Sequence, residues 1–177
     1  SEIHYNPKNN DDLEFIEIQN VSGRAVNLRG ARFNSGVRYQ FSKTQDTILT
    51  SGKRLLLVRS QYDMLKEFGA ELPVHGVYQA GLSNKGERLE LVNVEGESLL
   101  KVEYGDEYPW PDAADGNGSS LVFHGKSQLM NQPKEWFVGS EFGGSPGYGD
   151  ATFYLKKPLL DSNENGKADL MDYVFDR

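Results

Sequence analysis

The chain has no cysteine among its 177 residues, so it can form neither a disulfide staple nor a thiolate zinc site. That absence leaves its redox compartment open, since exported bacterial domains often contain no thiol. It is also short of positive charge: 19 Lys and Arg stand against 26 Asp and Glu, a net charge of −7, and the basic residues are scattered. Sequence-independent affinity for nucleic acid comes from clustered Lys and Arg on the phosphate backbone, so the balance argues against a nucleic-acid partner. No apolar run approaches the roughly 20 residues that span a bilayer, and no membrane insertion is expected from this segment. Ser1-Glu2-Ile3-His4-Tyr5 lacks the basic flank and apolar core of a secretory signal, so an export signal would have been removed or lies outside. The histidines His4, His75 and His124 are far apart and show no zinc-ligand spacing. Without a nucleophile motif beside them, a hydrolytic triad has no support.

What the chain does have is turn chemistry. Its 19 glycines and 7 prolines, with 37% hydrophobic and 11% aromatic residues, suit one domain of many short strands, followed by an appendage. Strand-like runs are Ile3–Tyr5, Phe15–Asn20, Val26–Leu28, Ala31–Phe33 and Val37–Phe41. Leu55-Leu56-Leu57-Val58 is continuously apolar, as a central strand buried on both faces would be. Ser60 caps an expected helix over 61–68, where Tyr62, Leu65 and Phe68 recur at three-residue spacing and Gly69 stops the turn. It is expected to lie on the sandwich as a lid. Leu89–Val92 and Leu99–Tyr104 flank a hairpin turn over Asn93–Glu97, and Ser119–Phe123 and Trp136–Val138 supply the last strands. Tyr108–Pro111 and Asp112–Gly118 read as loops. No internal repeat of solenoid or propeller length is visible. Such a series fits a β-sandwich or a barrel.

Several of these segments, in order, carry a family resemblance. Glu2-Ile3-His4-Tyr5-Asn6-Pro7, then Glu14–Asn20 and Val26–Gly30, resemble the start of a lamin-tail domain. Leu82–Leu91 resembles its central motif, and Tyr104–Pro111, Asp115–Leu121, Trp136 and Gly144-Ser145-Pro146-Gly147 resemble the stretches that follow. The resemblance implies an immunoglobulin-like β-sandwich without catalytic residues, a fold found in nuclear lamins and in exported bacterial multidomain proteins. Nothing in the chain continues into a heptad-patterned rod, so the bacterial form fits better. It implies a non-catalytic module of an exported or cell-surface protein, whose partners are other domains or proteins at the cell surface.

The composition shifts after Gly149, so the chain is divided here into a sandwich over 1–149 and a C-terminal loop–helix appendage over 150–177. The appendage carries the one spacing with specific chemistry. Asp161, Asn163, Asn165, Asp169 and Asp172 take positions 1, 3, 5, 9 and 12 of a loop with Gly166 at position 6. Calcium takes six to eight oxygens, and this spacing curls them around one ion, with the Lys167 carbonyl at position 7. The pattern resembles an EF-hand loop of the dockerin or thrombospondin type, because Asp172 stands at position 12 and Pro158 precludes an entering helix. Asn165 in place of an acid lowers the expected affinity. The bland alternative is an Asp/Asn-rich turn that caps a helix.

Two other functions were weighed. A carbohydrate-binding module would need an exposed, coplanar aromatic set drawn from Tyr39, Tyr78, Tyr108 and Trp110, whereas the tryptophans read first as packing anchors. A metal-assisted hydrolase would need convergent carboxylates such as Asp106, Asp112 and Asp115, which also might hold a second ion in place of that chemistry. Glu2, Glu14 and Glu17, close across neighbouring strands, read as solvated strand carboxylates. Gly30, Gly86 and Gly118 read as turn positions rather than phosphate cradles.

Overall fold

A computed structural model describes residues 1–148. The division after residue 149 and the calcium loop, with Asp161, Asn163, Asn165, Lys167, Asp169 and Asp172, therefore lie outside the described residues. Within them the chain is mostly β, with one α-helix. A six-stranded sheet has the order β11-β10-β1-β2-β6-β7. Its strands are β1 (Glu2–His4), β2 (Phe15–Gln19), β6 (Arg54–Val58), β7 (Val74–Val77), β10 (Leu121–Phe123) and β11 (Trp136–Val138). A three-stranded sheet runs β4 (Arg32–Ser35), β8 (Glu87–Val92) and β9 (Ser98–Tyr104), and β3 (Val26–Asn27) pairs with β5 (Ile48–Leu49). All pairings are antiparallel except β6 with β7.

The main core fills the space between the sheets. Ile3, Ile16, Leu55 and Leu57 come from the larger sheet, and Phe33, Leu89, Leu91 and Val102 from the smaller. These positions alternate along their strands, so one face of each sheet becomes apolar. This is the immunoglobulin-like sandwich expected from the sequence. Leu55–Val58 is the centrally placed, doubly buried strand expected, since β6 lies between β2 and β7 and each of its four apolar residues is buried.

Leu56 and Val58 face the other way, into a second core with Phe15, Met64 and Leu72. Its cover is α1 (Gln61–Phe68), which starts where the Ser60 hydroxyl accepts the Asp63 N–H and ends where the Gly69 N–H reaches the Leu65 carbonyl. The helix is the expected lid, but its anchor differs. Met64 is fully buried while Tyr62 is 73% exposed; α1 thus turns a face one residue away from the expected Tyr62 stripe towards the sheet.

Val37–Phe41 is not a regular strand; it makes only isolated bridges, Arg32 with Gln40 and Arg38 with Gln79. Buried Val37 and Phe41 with half-buried Tyr39 reproduce a strand's alternation without its ladder. Strands β5 and β7 have no counterpart in the sequence reading: the first has two residues, and Gly76 interrupts the second.

Candidate functional site

Three acidic side chains are buried where the strand pattern pointed to solvent. Glu2, Glu14 and Glu17 are 2%, 1% and 3% exposed, which corrects their reading as solvated carboxylates. Burying an ionised carboxylate is costly unless its oxygens are satisfied. Each of these is satisfied by a distant loop. Glu2 accepts the Ser120 hydroxyl at 2.5 Å, and the Ser145 N–H and hydroxyl at 2.9 Å each. Glu17, opposite Glu2 across the β1–β2 ladder, accepts the Gly147 N–H at 2.9 Å and the Ser1 hydroxyl at 2.6 Å; Arg54 Nε lies 3.0 Å from it. Glu14 accepts the Leu82 N–H at 2.7 Å and the Arg59 guanidinium at 2.6 Å.

The resembling motifs thus acquire physical roles. The Gly144–Gly147 segment is fastened to the outer face of the large sheet by Glu2 and Glu17. A Cβ on Gly144, whose φ is +85°, would sit 2.7 Å from Glu2 Oε1 and 2.9 Å from Phe15 Cζ, so only glycine lets the loop close on that carboxylate. Leu82 at the start of the central motif is held by Glu14. Burial raises the Glu2 carboxyl against the opposing effect of its Ser120 and Ser145 hydrogen bonds, and raises Glu14 against Leu82 and Arg59.

His4 shares the outer face. Its ring is 1% exposed, meets Phe15 edge-on at 5.6 Å, and neither nitrogen has a partner among the described residues. Burial lowers its pKa to about 4, so the imidazole is neutral at neutral pH.

Two open cavities were tested as active sites. One, of about 520 Å³, lies between the sheets and is lined by Ile16, Ile18, Leu49, Leu100, Met130 and Trp136 among others. It is an apolar cleft without a converging reactive set. The other, of about 590 Å³, has Glu2, Glu17, Arg54, His124 and Tyr148 in its wall. Two carboxylates there would suit acid–base chemistry, but the oxygens of both are taken by the contacts above and neither side chain is more than 3% exposed. That wall anchors loops.

The remaining sequence candidates separate as follows. Tyr78 is 3% exposed, Tyr39 and Trp110 pack partly buried against the main core, and Tyr108 is 71% exposed. These rings form no coplanar platform for a sugar. Trp136 is 4% exposed, donates to the Met130 carbonyl at 2.8 Å, and lies 6.1 Å from Trp110; both tryptophans are the packing anchors expected. Gly30, Gly86 and Gly118 all have positive φ, as turn positions do. Asp106, Asp112 and Asp115 gather at one end of the sandwich, but no group of three His, Cys, Asp or Glu suited to a metal is present among the described residues. Asp106 instead meets Lys85 Nζ at 3.1 Å, and Asp115 accepts the Asn6 amide at 2.6 Å.

Among the described residues, no helix is long and apolar enough to cross a membrane. No curated protein and no solved structure matches the chain. A family model does: the one described as Lamin Tail Domain aligns with residues 1–106, from β1 through the end of β9, which takes in the strands that carry Glu2 and Glu17 and the loop held by Glu14. The chain belongs to the lamin tail domain family.

Proposed function

We propose that this chain is a non-catalytic interaction module of a larger exported or cell-surface bacterial protein, and that its segment 150–177 is a separate appendage that binds calcium. The observation that carries the first part is the use made of Glu2, Glu14 and Glu17. The described residues best placed for acid–base chemistry are spent on fastening loops to the sandwich, which leaves a rigid body with exposed loops and sheet edges as its working surface. The lamin tail family is immunoglobulin-like and typically non-catalytic, in keeping with that use.

The exported, bacterial setting is supported by the absence of a heptad rod and by the resemblance to bacterial modules. Protease shaving of intact cells that carry the parent protein tests it: surface placement predicts cleavage of the module while cytoplasmic markers stay whole, and complete protection contradicts it.

Calcium is supported by the spacing of Asp161, Asn163, Asn165, Asp169 and Asp172, with Gly166 for the sharp turn and the Lys167 carbonyl as a further ligand. Calorimetric titration of the chelator-treated protein is expected to give binding heat and a raised melting temperature. No heat and no change at millimolar calcium defeat this part alone.

A further inference from the structure

The end of the sandwich reached by the C-terminus of β1 and the C-terminus of β9 is acidic. Asp106, Glu107, Asp112 and Asp115 come from the loop after β9, and Lys85 is the cation they act on. Lys85 Nζ sits 3.1 Å from Asp106 Oδ2, yet its side chain is 87% exposed while that of Asp106 is 12% exposed. The carboxylate is held in place and its cation is loose.

Beneath these acids lies a second, independent feature. Tyr5 is fully buried, and its hydroxyl has no partner among the described residues. Its ring packs on Tyr104 at 4.9 Å, from which the chain runs into Gly105 and Asp106, and the neighbouring Asn6 holds Asp115. The phenol is therefore directed under the acidic loop. Burial, and then Asp115, Asp106 and Asp112, push its pKa upward, which places the hydroxyl within the field of all three. A buried hydroxyl without a partner is rare and costly, and a hydroxyl oxygen next to carboxylates completes an acceptor set for an N–H donor. Tyr108, 71% exposed in the same loop, offers a ring face to a cation.

We propose that this loop end is a docking face for a lysine- or arginine-bearing segment of a protein partner, whose cation takes the place of Lys85 among Asp106, Asp112 and Asp115 above Tyr5. The choice of a basic segment rests on charge complementarity, and the absence of a metal-type cluster there argues against a divalent ion. The proposal builds on the interaction-module reading and supplies it with a face.

The test is a titration of the full chain with an unstructured oligolysine peptide at near-physiological salt, read by calorimetry and by the fluorescence of Trp110, which packs on Gly105 in the same loop. Affinity is expected to fall about two- to fivefold in Asp112→Asn and by a similar factor in Glu107→Gln, the size of an exposed ion pair. Lys85→Ala removes the internal competitor and is expected to tighten binding by that factor. Lys134→Ala makes the same change of net charge in the loop that leads into β11, at the opposite end, and is expected to change affinity less than twofold. Equal gains from Lys85→Ala and Lys134→Ala would reduce the effect to net charge and overturn the proposal. So would the absence of binding, or a Trp110 response to magnesium alone as large as that to the peptide. These results would remove the acidic face only; the module reading stands or falls separately, on the shaving experiment.

Discussion

On its inner face the six-stranded sheet presents Ile3, Ile16, Leu55 and Leu57 to the second sheet, while on its outer face the same strands present Glu2, His4 and Glu17 beside Phe15, Leu56 and Val58. Both faces are buried. The inner one is buried by apolar packing against strands, the outer one by α1 and by a glycine-rich loop that the carboxylates themselves hold. The difference teaches where specificity lies. The inner core decides that a sandwich forms, and the outer layer decides which loops close over it and where.

Truncation measures the contrast first. Leu57→Ala, at a fully buried inner position, is expected to cost about 3–5 kcal/mol in urea unfolding, as for large cavities in packed cores. Leu56→Ala is equally buried but lies under α1, which can settle onto the gap, and is expected to cost about 2–3 kcal/mol. A larger cost at Leu56 than at Leu57 would reverse the comparison.

The pH dependence of stability sharpens it. His4 is held near pKa 4 against 6.5 in the unfolded chain, so the folded state binds fewer protons than the unfolded state between those values. Its contribution is fully present above pH 6.5 and is lost as the pH falls towards 4, by roughly 3 kcal/mol in all. Glu2 and Glu14, whose folded values are raised, act with the opposite sign: their contribution is largest below the unfolded carboxylate value and is lost as the pH rises. His4→Phe should therefore flatten the fall between pH 6.5 and 4 without removing the carboxylate contribution. An unchanged slope would show that His4 is not buried neutral.

Glu14→Ala leaves the Leu82 N–H without its acceptor and Arg59 without its partner, and is expected to cost about 2–3 kcal/mol. Glu14→Gln keeps an acceptor and should cost less. Gly144→Ala and Gly96→Ala give the smallest test. Both positions have positive φ, but Gly96 faces open space, whereas a Cβ at Gly144 meets Glu2 and Phe15. The first should exceed the second, itself about 1 kcal/mol.

Much of the inner face was legible in the sequence, and little of the outer. Phe15-Ile16-Glu17-Ile18 announces a strand by alternation, and Leu55–Val58 announces double burial by the lack of it. Alternation also says that Glu17 points away from Ile16, as it does. It cannot say that the other side is covered, because the cover comes from a helix and a loop far along the chain, with Gly147 130 residues away from Glu17. The strands β5 and β7 were illegible for a different reason: two residues, and four interrupted by Gly76, carry too short a period to register. In the candidate site, the loop positions of Asp106, Asp112 and Asp115 were legible as turn chemistry. The pairing with Lys85 and the buried Tyr5 hydroxyl beneath them were not, since both depend on which loops meet at one end of the sandwich.

The most direct measurement of the account's central claim, that buried carboxylates fasten the loops, is native-state amide hydrogen exchange at Leu82, Ser145 and Gly147 in the wild type and in Glu14→Gln, Glu2→Gln and Glu17→Gln. Slow exchange is predicted at all three amides, with Glu14→Gln releasing Leu82, Glu2→Gln releasing Ser145 and Glu17→Gln releasing Gly147, each with lesser effect on the others. Fast exchange of these amides in the wild type, or acceleration of all three alike by every substitution, would contradict it.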